Sequence, residues 1–185
     1  YKYINDISLY DKDWDGYWSD TQAHGSFSKY GDPMFDLILD ALCPQISQIS
    51  GKELEPNYSY FRLYSSGDVL KRHKDRESCE ISLTMCLGYN VSNVDKATYP
   101  NYNWPMWIQD KNGNELPVSL DPGDIILYRG CDLDHWREQF LGLNHAQVFL
   151  HYNDKNGPFA NKWDGRHQLS IPKKFQTWRT IDEIR

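Results

Sequence analysis

The stretch KRHKDRESCEISLTMCLGY, residues 71 to 89, decides the fold. Its second half alternates. Ser82, Thr84 and Cys86 fall on one face of an extended strand, and Ile81, Leu83 and Met85 fall on the other. The small residues suit an inner floor with room for a ligand, and the large apolar ones suit a packed outer face. Just before this strand His73 and Asp75 stand two apart, so at a strand end both side chains can converge on one point. An H-x-D pair arises often by chance, and its meaning depends on whether a third donor arrives from elsewhere in the chain.

From residue 56 onward most of the chain reads as β. YSYFRLY (58–64), CEISLTMCL (79–87), WPMWIQD (104–110), LPVSL (116–120), DIILYRG (124–130) and AQVFLHYN (146–153) alternate or run apolar. Ser65-Ser66-Gly67, Asp121-Pro122-Gly123 and Asn156-Gly157-Pro158 supply turns, and DKNGNE (110–115) reads as a hairpin turn. One helix is signalled upstream by GDPMFDLILDALCPQI (31–46). Asp32 suits the N-cap and Pro33 the first helical position, and Met34, Leu37, Ile38, Ala41 and Leu42 recur at helical spacing. Pro44 is expected to kink or end it. Many short strands after a leading helix predict a mainly β protein, a barrel or double-sheet jelly roll with an N-terminal helix packed on one face. The expected organisation is a single domain, 1–185: helical support over 1–55, a jelly-roll core over 56–154, and a C-terminal wrap over 155–185 carrying Trp163 and Trp178. Residues 1–30, with Trp14 and Trp18, follow no clear period.

Composition agrees with that reading. Aromatic residues make up 15% of 185, with 7 Trp and 13 Tyr, a bias toward strands over helix bundles. A net charge of −6 leaves no basic footprint for gripping nucleic-acid phosphates. No apolar run approaches the roughly 20 residues of a membrane span. Cys43, Cys79, Cys86 and Cys131 form no C-x-x-C pair. A chain this long folds without disulfides, so they are expected as reduced thiols and the protein as cytoplasmic. The chain starts at Tyr1 instead of Met, which leaves room for a trimmed N-terminal segment. No Walker loop, G-x-S-x-G or H-E-x-x-H is present.

The third donor is found in PGDIILYRGCDLDHWREQF (122–140), where His135 follows a turn and an apolar strand. Jelly-roll strands distant in sequence lie side by side, so His135 can close a triangle with His73 and Asp75. Two imidazoles and a carboxylate on one face of a metal leave three sites open, an arrangement suited to non-heme Fe(II) and O2 chemistry. His24 and His167 lie in polar, loop-like sequence; His151 shares a strand with His145 at even spacing, and a metal role for it is conceivable but unneeded.

With these pieces in order, the chain resembles the Fe(II)/2-oxoglutarate dioxygenases, most closely the prolyl-4-hydroxylase-like branch. The resemblance rests on YFRLYSSGDVLKRHKD (60–75), CEISLTMCLGY (79–89), PVSLDPGDIILY (117–128) and HWREQFLGLNHAQVFLHYND (135–154), and spans about Pro56 to Asp154. It implies a double-stranded β-helix of the cupin-like jelly-roll form, with His73, Asp75 and His135 as ligands of Fe(II), 2-oxoglutarate as co-substrate, and O2. It also implies that the Tyr64 hydroxyl bonds a 2-oxoglutarate carboxylate. The expected reaction is hydroxylation of an unactivated C–H, by default on a prolyl or other peptidyl side chain, with succinate and CO2 as co-products. A sugar or small metabolite is the alternative substrate. A cupin-like metal enzyme not using 2-oxoglutarate and a jelly-roll binding module are the rival classes.

Two departures stand out. Where the family commonly has Lys or Arg about ten residues after the second histidine, this chain has His145. A neutral imidazole anchors a carboxylate less well than a guanidinium. Either His145 is held protonated by the bound dianion or the charge comes from elsewhere. Arg137, two beyond His135, is the preferred source, and Arg62, two before Tyr64, is a further one. The Gly-Gly-Glu turn of prolyl hydroxylases is also missing. YPNYNWPMWIQD (99–110) stands there, and Tyr99, Tyr102, Trp104 and Trp107 either line a substrate groove or pack the outer sheet. Arg76 is placed to meet substrate at the barrel mouth or to remain a solvated charge. Asp134 and Glu138 are candidates for orienting the ligand imidazoles.

Overall fold

The computed structural model describes residues 1–10, 16–18, 21–162 and 169–170. Trp14, Trp163, His167 and Trp178 lie outside the described residues. Helix α1 covers Lys2–Tyr10 and strand β1 Gly16–Trp18; β2 is Phe27–Tyr30. The predicted helix, α2, spans Pro33–Ser50. Asp32 caps it by accepting from the Met34 amide at 3.0 Å, and Pro33 opens the first turn. Two expectations are corrected. Of the two outcomes expected at Pro44, a kink or an end, the end does not occur: the helix runs through it to Gly51, whose left-handed backbone (φ 67°) closes the end with an N–H to the Ser47 carbonyl. An interior proline costs about 3 kcal/mol, offset here because burial of Cys43 before it and Ile46 after it holds both halves on the sheet. The buried stripe is also rotated from the predicted one. Phe35, Leu39, Cys43 and Ile46 face inward, with Ile38 and Leu42 flanking, whereas Met34 and Leu37 are exposed.

The remaining strands are β3 (Leu54–Ser65), β4 (Leu70–His73), β5 (Ile81–Asn90), β6 (Met106–Gln109), β7 (Glu115–Val118), β8 (Ile125–Tyr128), β9 (His135–Arg137) and β10 (Asn144–Asp154). They form two antiparallel sheets, one ordered β1-β2-β3-β10-β5-β8 and one ordered β4-β9-β6-β7. From β3 to β10 the chain passes to the opposite sheet at every step except the β6–β7 hairpin, which is the double-stranded β-helix expected. That hairpin closes as composition predicts: the Asp110 carboxylate accepts from the amides of Asn112 (2.8 Å) and Asn114 (2.9 Å).

Strand parity divides the interior into two compartments. Phe61 and Leu63 of β3, Ile81 and Leu83 of β5, and Ala146, Val148, Leu150 and Tyr152 of β10 pack outward against α2. The opposite residues of the same strands turn into the barrel. On β5 these are Ser82, Thr84 and Cys86, the small-residue floor read from the sequence. On β10 they are His145, Gln147, Phe149 and His151. Polar residues on an inner face are costly unless each meets a partner or a ligand, so the polar side of the barrel is where function is sought. All four cysteines are unpaired thiols, and no helix among the described residues is long and apolar enough to cross a membrane.

Candidate metal centre

The β4–β9 pairing sets His73 directly across from His135, with ring centroids 4.3 Å apart. Asp75 lies past the end of β4, and its position comes from a tie, not from strand parity: its amide donates to the Gly130 carbonyl at 2.9 Å. The result is convergence. Oδ1 of Asp75 lies 3.6 Å from Nε2 of His73 and 3.5 Å from Nε2 of His135. Each imidazole is held in one tautomer by its other nitrogen. His73 donates Nδ1–H to the Lys71 carbonyl at 2.7 Å, and His135 donates Nδ1–H to the Leu133 carbonyl at 3.0 Å. A carbonyl cannot donate, so Nδ1 carries a proton and Nε2, facing the carboxylate, is the nitrogen that donates to Asp75 when the ring is protonated and is free to take a metal when it is neutral. Backbone carbonyls thus do the orienting expected of Asp134 or Glu138. Burial by itself would raise the Asp75 pKa; hydrogen bonding to His135 and His73 and the charge of His151 outweigh it and hold the carboxyl well below its usual range. The donor set (two neutral nitrogens and an anionic oxygen) fits a divalent transition metal.

Gly130 is a site residue with no signal in the sequence. A Cβ at this position would lie 2.2 Å from Oδ2 of Asp75 and 2.7 Å from both the Cys79 carbonyl and Oγ of Ser82. The loop therefore approaches the carboxylate as closely as only a residue lacking a side chain permits. Ser82 donates to Oδ2 of Asp75 at 3.0 Å and also lies 3.0 Å from Nδ1 of His151. Cys79 stands beside them with its thiol 2.9 Å from the Tyr58 hydroxyl. Burial would push that thiol up, but the charge and hydrogen bond of His151 hold it below its ordinary value. His151 is raised in turn, the Cys79 charge outweighing burial.

A cavity of about 610 Å³ opens onto the three converging side chains. Its other walls include Tyr58, Tyr60 and Arg62 of β3, Tyr17 of β1, Phe149 and His151 of β10, and Arg76 and Cys79. Arg76 lines the cavity and is exposed to solvent, its guanidinium 5.1 Å from the centre of the Tyr58 ring. The aromatic run 99–107 does not line this cavity. Trp107 stacks on Trp136, in keeping with the outer-sheet reading, whereas Trp104 does neither of the things expected of it: it is buried inside the barrel against Tyr64, Phe140 and His145. Tyr102 packs on Phe140, and Tyr99 is exposed.

Deeper in the barrel are the remaining predicted residues. Arg137 follows His135 on the same strand face, 2% exposed, and donates to the Trp104 carbonyl (2.6 Å) and to Oε1 of Gln147 (3.2 Å). No carboxylate among the described residues pairs with it, and burial lowers its pKa. His145 is 1% exposed with Nδ1 lacking a partner; burial first, and the Arg137 charge second, push it well below its usual value, so it is neutral. Gln147 Nε2 is a second buried atom lacking a partner. Tyr64 is fully buried, and its hydroxyl accepts from Arg62 at 3.1 Å. Arg62 itself is held by the Tyr60 hydroxyl (3.2 Å) and Oε1 of Gln22 (3.3 Å) at the cavity wall.

No protein-family model and no curated protein sequence matches this chain. Solved structures do. A prolyl-4-hydroxylase from Pseudomonas putida superimposes with a TM-score of 0.62 at 16% identity, covering 83% of this chain and 84% of that one. HygX from Streptomyces hygroscopicus, with nickel and 2-oxoglutarate bound, gives 0.58 at 12% identity, over 83% and 78%. A prolyl hydroxylase from Trichoplax adhaerens, in complex with a hypoxia inducible factor peptide fragment, gives 0.57 at 14% identity, over 80% and 74%. At such identities the likeness is one of architecture: the chain has the fold of the 2-oxoglutarate/Fe(II) oxygenases.

Proposed function

We propose that this protein is an Fe(II)- and 2-oxoglutarate-dependent hydroxylase that acts on an unactivated C–H bond of a prolyl or other peptidyl residue. The observation that carries the reading is the convergence of His73, Asp75 and His135, with both Nε2 atoms facing one carboxylate oxygen at the floor of a cavity. His73, Asp75 and His135 hold the metal through Nε2, a carboxylate oxygen and Nε2. Bound iron supplies the redox chemistry that couples O2 reduction to decarboxylation of 2-oxoglutarate, with succinate and CO2 as co-products. The chain's own residues do the rest. Arg137 anchors the far carboxylate of the co-substrate, because a fully buried guanidinium with only neutral partners is a site for an anion. His145 and Gln147 flank it with the two unpartnered polar atoms, and Tyr64 supports the same end with its hydroxyl. His145 thus contributes as a neutral group, and the charge comes from Arg137 on β9 of the other sheet.

The cavity volume lies within the range of small-ligand sites, about 300–1,000 Å³. Its tyrosines and Phe149 offer flat apolar faces with hydroxyls at their edges, which grip a ring or a single side chain at low entropic cost. Peptide substrates are further supported by the complex of the Trichoplax protein. The test is anaerobic addition of Fe(II) and 2-oxoglutarate. A weak visible charge-transfer band is expected in the wild type and not in His135→Ala. Iron binding without the band supports the cupin-like rival, and failure to bind iron supports a binding module. A screen of peptides and small metabolites for coupled succinate release then separates the substrate classes.

A further inference from the structure

The carboxylate of Asp75 has two faces, and the metal reading uses only one. Oδ1 points to His73 and His135. Oδ2 points the other way, to Ser82, and through Ser82 to His151. Asp75, Cys79 and His151 place one ligand atom each within 4.8 Å of one another. Three elements bring them there. His151 of β10 lies across from Ser82 of β5 and from Tyr58 of β3, while Cys79 ends the 3-10 turn Glu77–Cys79. Both Cys79 and His151 are buried and both line the cavity. The Tyr58 hydroxyl on the thiol and the Ser82 hydroxyl on the imidazole orient the two donors, as outer partners do in built metal sites.

We propose that Asp75, Cys79 and His151 form a second metal site, with Asp75 as the shared carboxylate, and that it selects a thiophilic divalent cation of the zinc class. The donor chemistry sets the selection. The first set is all nitrogen and oxygen, whereas the second adds a sulfur, and thiolate–imidazole sets favour Zn(II). Zinc bonds of about 2.0–2.3 Å place tetrahedral donors roughly 3.3–3.6 Å apart, so donor atoms that already lie within 4.8 Å of one another need only a small closure on loading. Three protein ligands leave the fourth position to water or to a group entering the cavity. The site itself rests on these three side chains alone. Its effect on iron rests on the proposed function: a cation held through Oδ2 draws charge from the carboxylate whose Oδ1 serves the first set, so zinc at the second site weakens iron binding at the first without excluding it.

The test titrates the metal-free, reduced 185-residue chain with Co(II) under argon and follows absorption and stoichiometry. Two equivalents are expected, one of them bringing an intense near-ultraviolet thiolate-to-cobalt band. Cys79→Ser should remove the band and one equivalent; His151→Gln should weaken binding of the same equivalent at least tenfold, with circular dichroism showing both variants folded. His73→Ala should leave the band in place and remove the other equivalent. One equivalent without a thiolate band, abolished by His73→Ala, overturns the second site and leaves the first standing. A band that survives Cys79→Ser also overturns it. A band with binding unaffected by His73→Ala and His135→Ala upholds the second site and overturns the first.

Discussion

Replacing Gly130 by alanine tests the geometry of the centre without touching a ligand. Gly130 does not use left-handed backbone, so the consequence is spatial alone. The new methyl would sit 2.2 Å from Oδ2 of Asp75. A carbon and an oxygen need about 3.2 Å or more, so the carboxylate must retreat by about 1 Å. It cannot retreat freely, because its amide is tied to the Gly130 carbonyl and the Ser82 hydroxyl and Cys79 carbonyl close the same space at 2.7 Å. Overpacking of this kind costs about 1–3 kcal/mol of stability. A shift of that size in one of three ligands should weaken metal binding roughly 10- to 100-fold, or about 1.4–2.7 kcal/mol. Calorimetric titration of metal-free protein with Co(II) measures the affinity, and a thermal melt measures the stability. Wild-type affinity together with an unchanged melt would refute the claim that Gly130 sets the position of Asp75.

Arg137→Ala should raise the 2-oxoglutarate concentration for half-maximal chelate formation roughly 10- to 140-fold, the loss of a charged hydrogen bond of about 1.5–3 kcal/mol; His145→Ala should raise it less, and equal or reversed effects count against the anchor assignment. Asp32→Ala removes the α2 cap, the acceptor of the Tyr3 hydroxyl and the ion-pair partner of buried Lys29 at 3.0 Å. Breaking a buried pair from one side costs about 3–5 kcal/mol, a fall in melting temperature of roughly 6–20 °C for a chain this size. The Asp154 pKa is lowered by its hydrogen bonds from Lys52 and the Asn156 amide. A depressed carboxylate contributes stability that is present above its unfolded pKa and lost as pH falls through the folded one. Urea midpoints should therefore drop below about pH 4, and drop less in Asp154→Asn; parallel acid limbs would exclude Asp154 as a source.

Features governed by neighbours along the chain are legible in the order of amino acids alone. The β5 alternation, the DKNGNE hairpin and the α2 start at Asp32 follow from strand period, turn chemistry and capping, each acting over a few residues. His73, Asp75 and His135 are readable because the order of strands and turns resembles a known family, and Arg137 because strand parity carries it to the face of His135. Where prediction fails, long-range packing overrides a local rule. Pro44 stays helical because burial on both sides outweighs its missing bond, and the α2 stripe is turned by what the sheet offers it.

Sequence by itself therefore determined the class of fold and the chemical types gathered at the site. Only the tertiary structure decided that Asp75 lies between two donor groups, that Gly130 must be bare, that Cys79 and His151 meet, and that His145 is neutral beside a buried Arg137. The reason is physical: periodicity and turn propensity act between near neighbours. Desolvation, close contact and convergence arise only where β3, β5, β9 and β10 close around a shared interior.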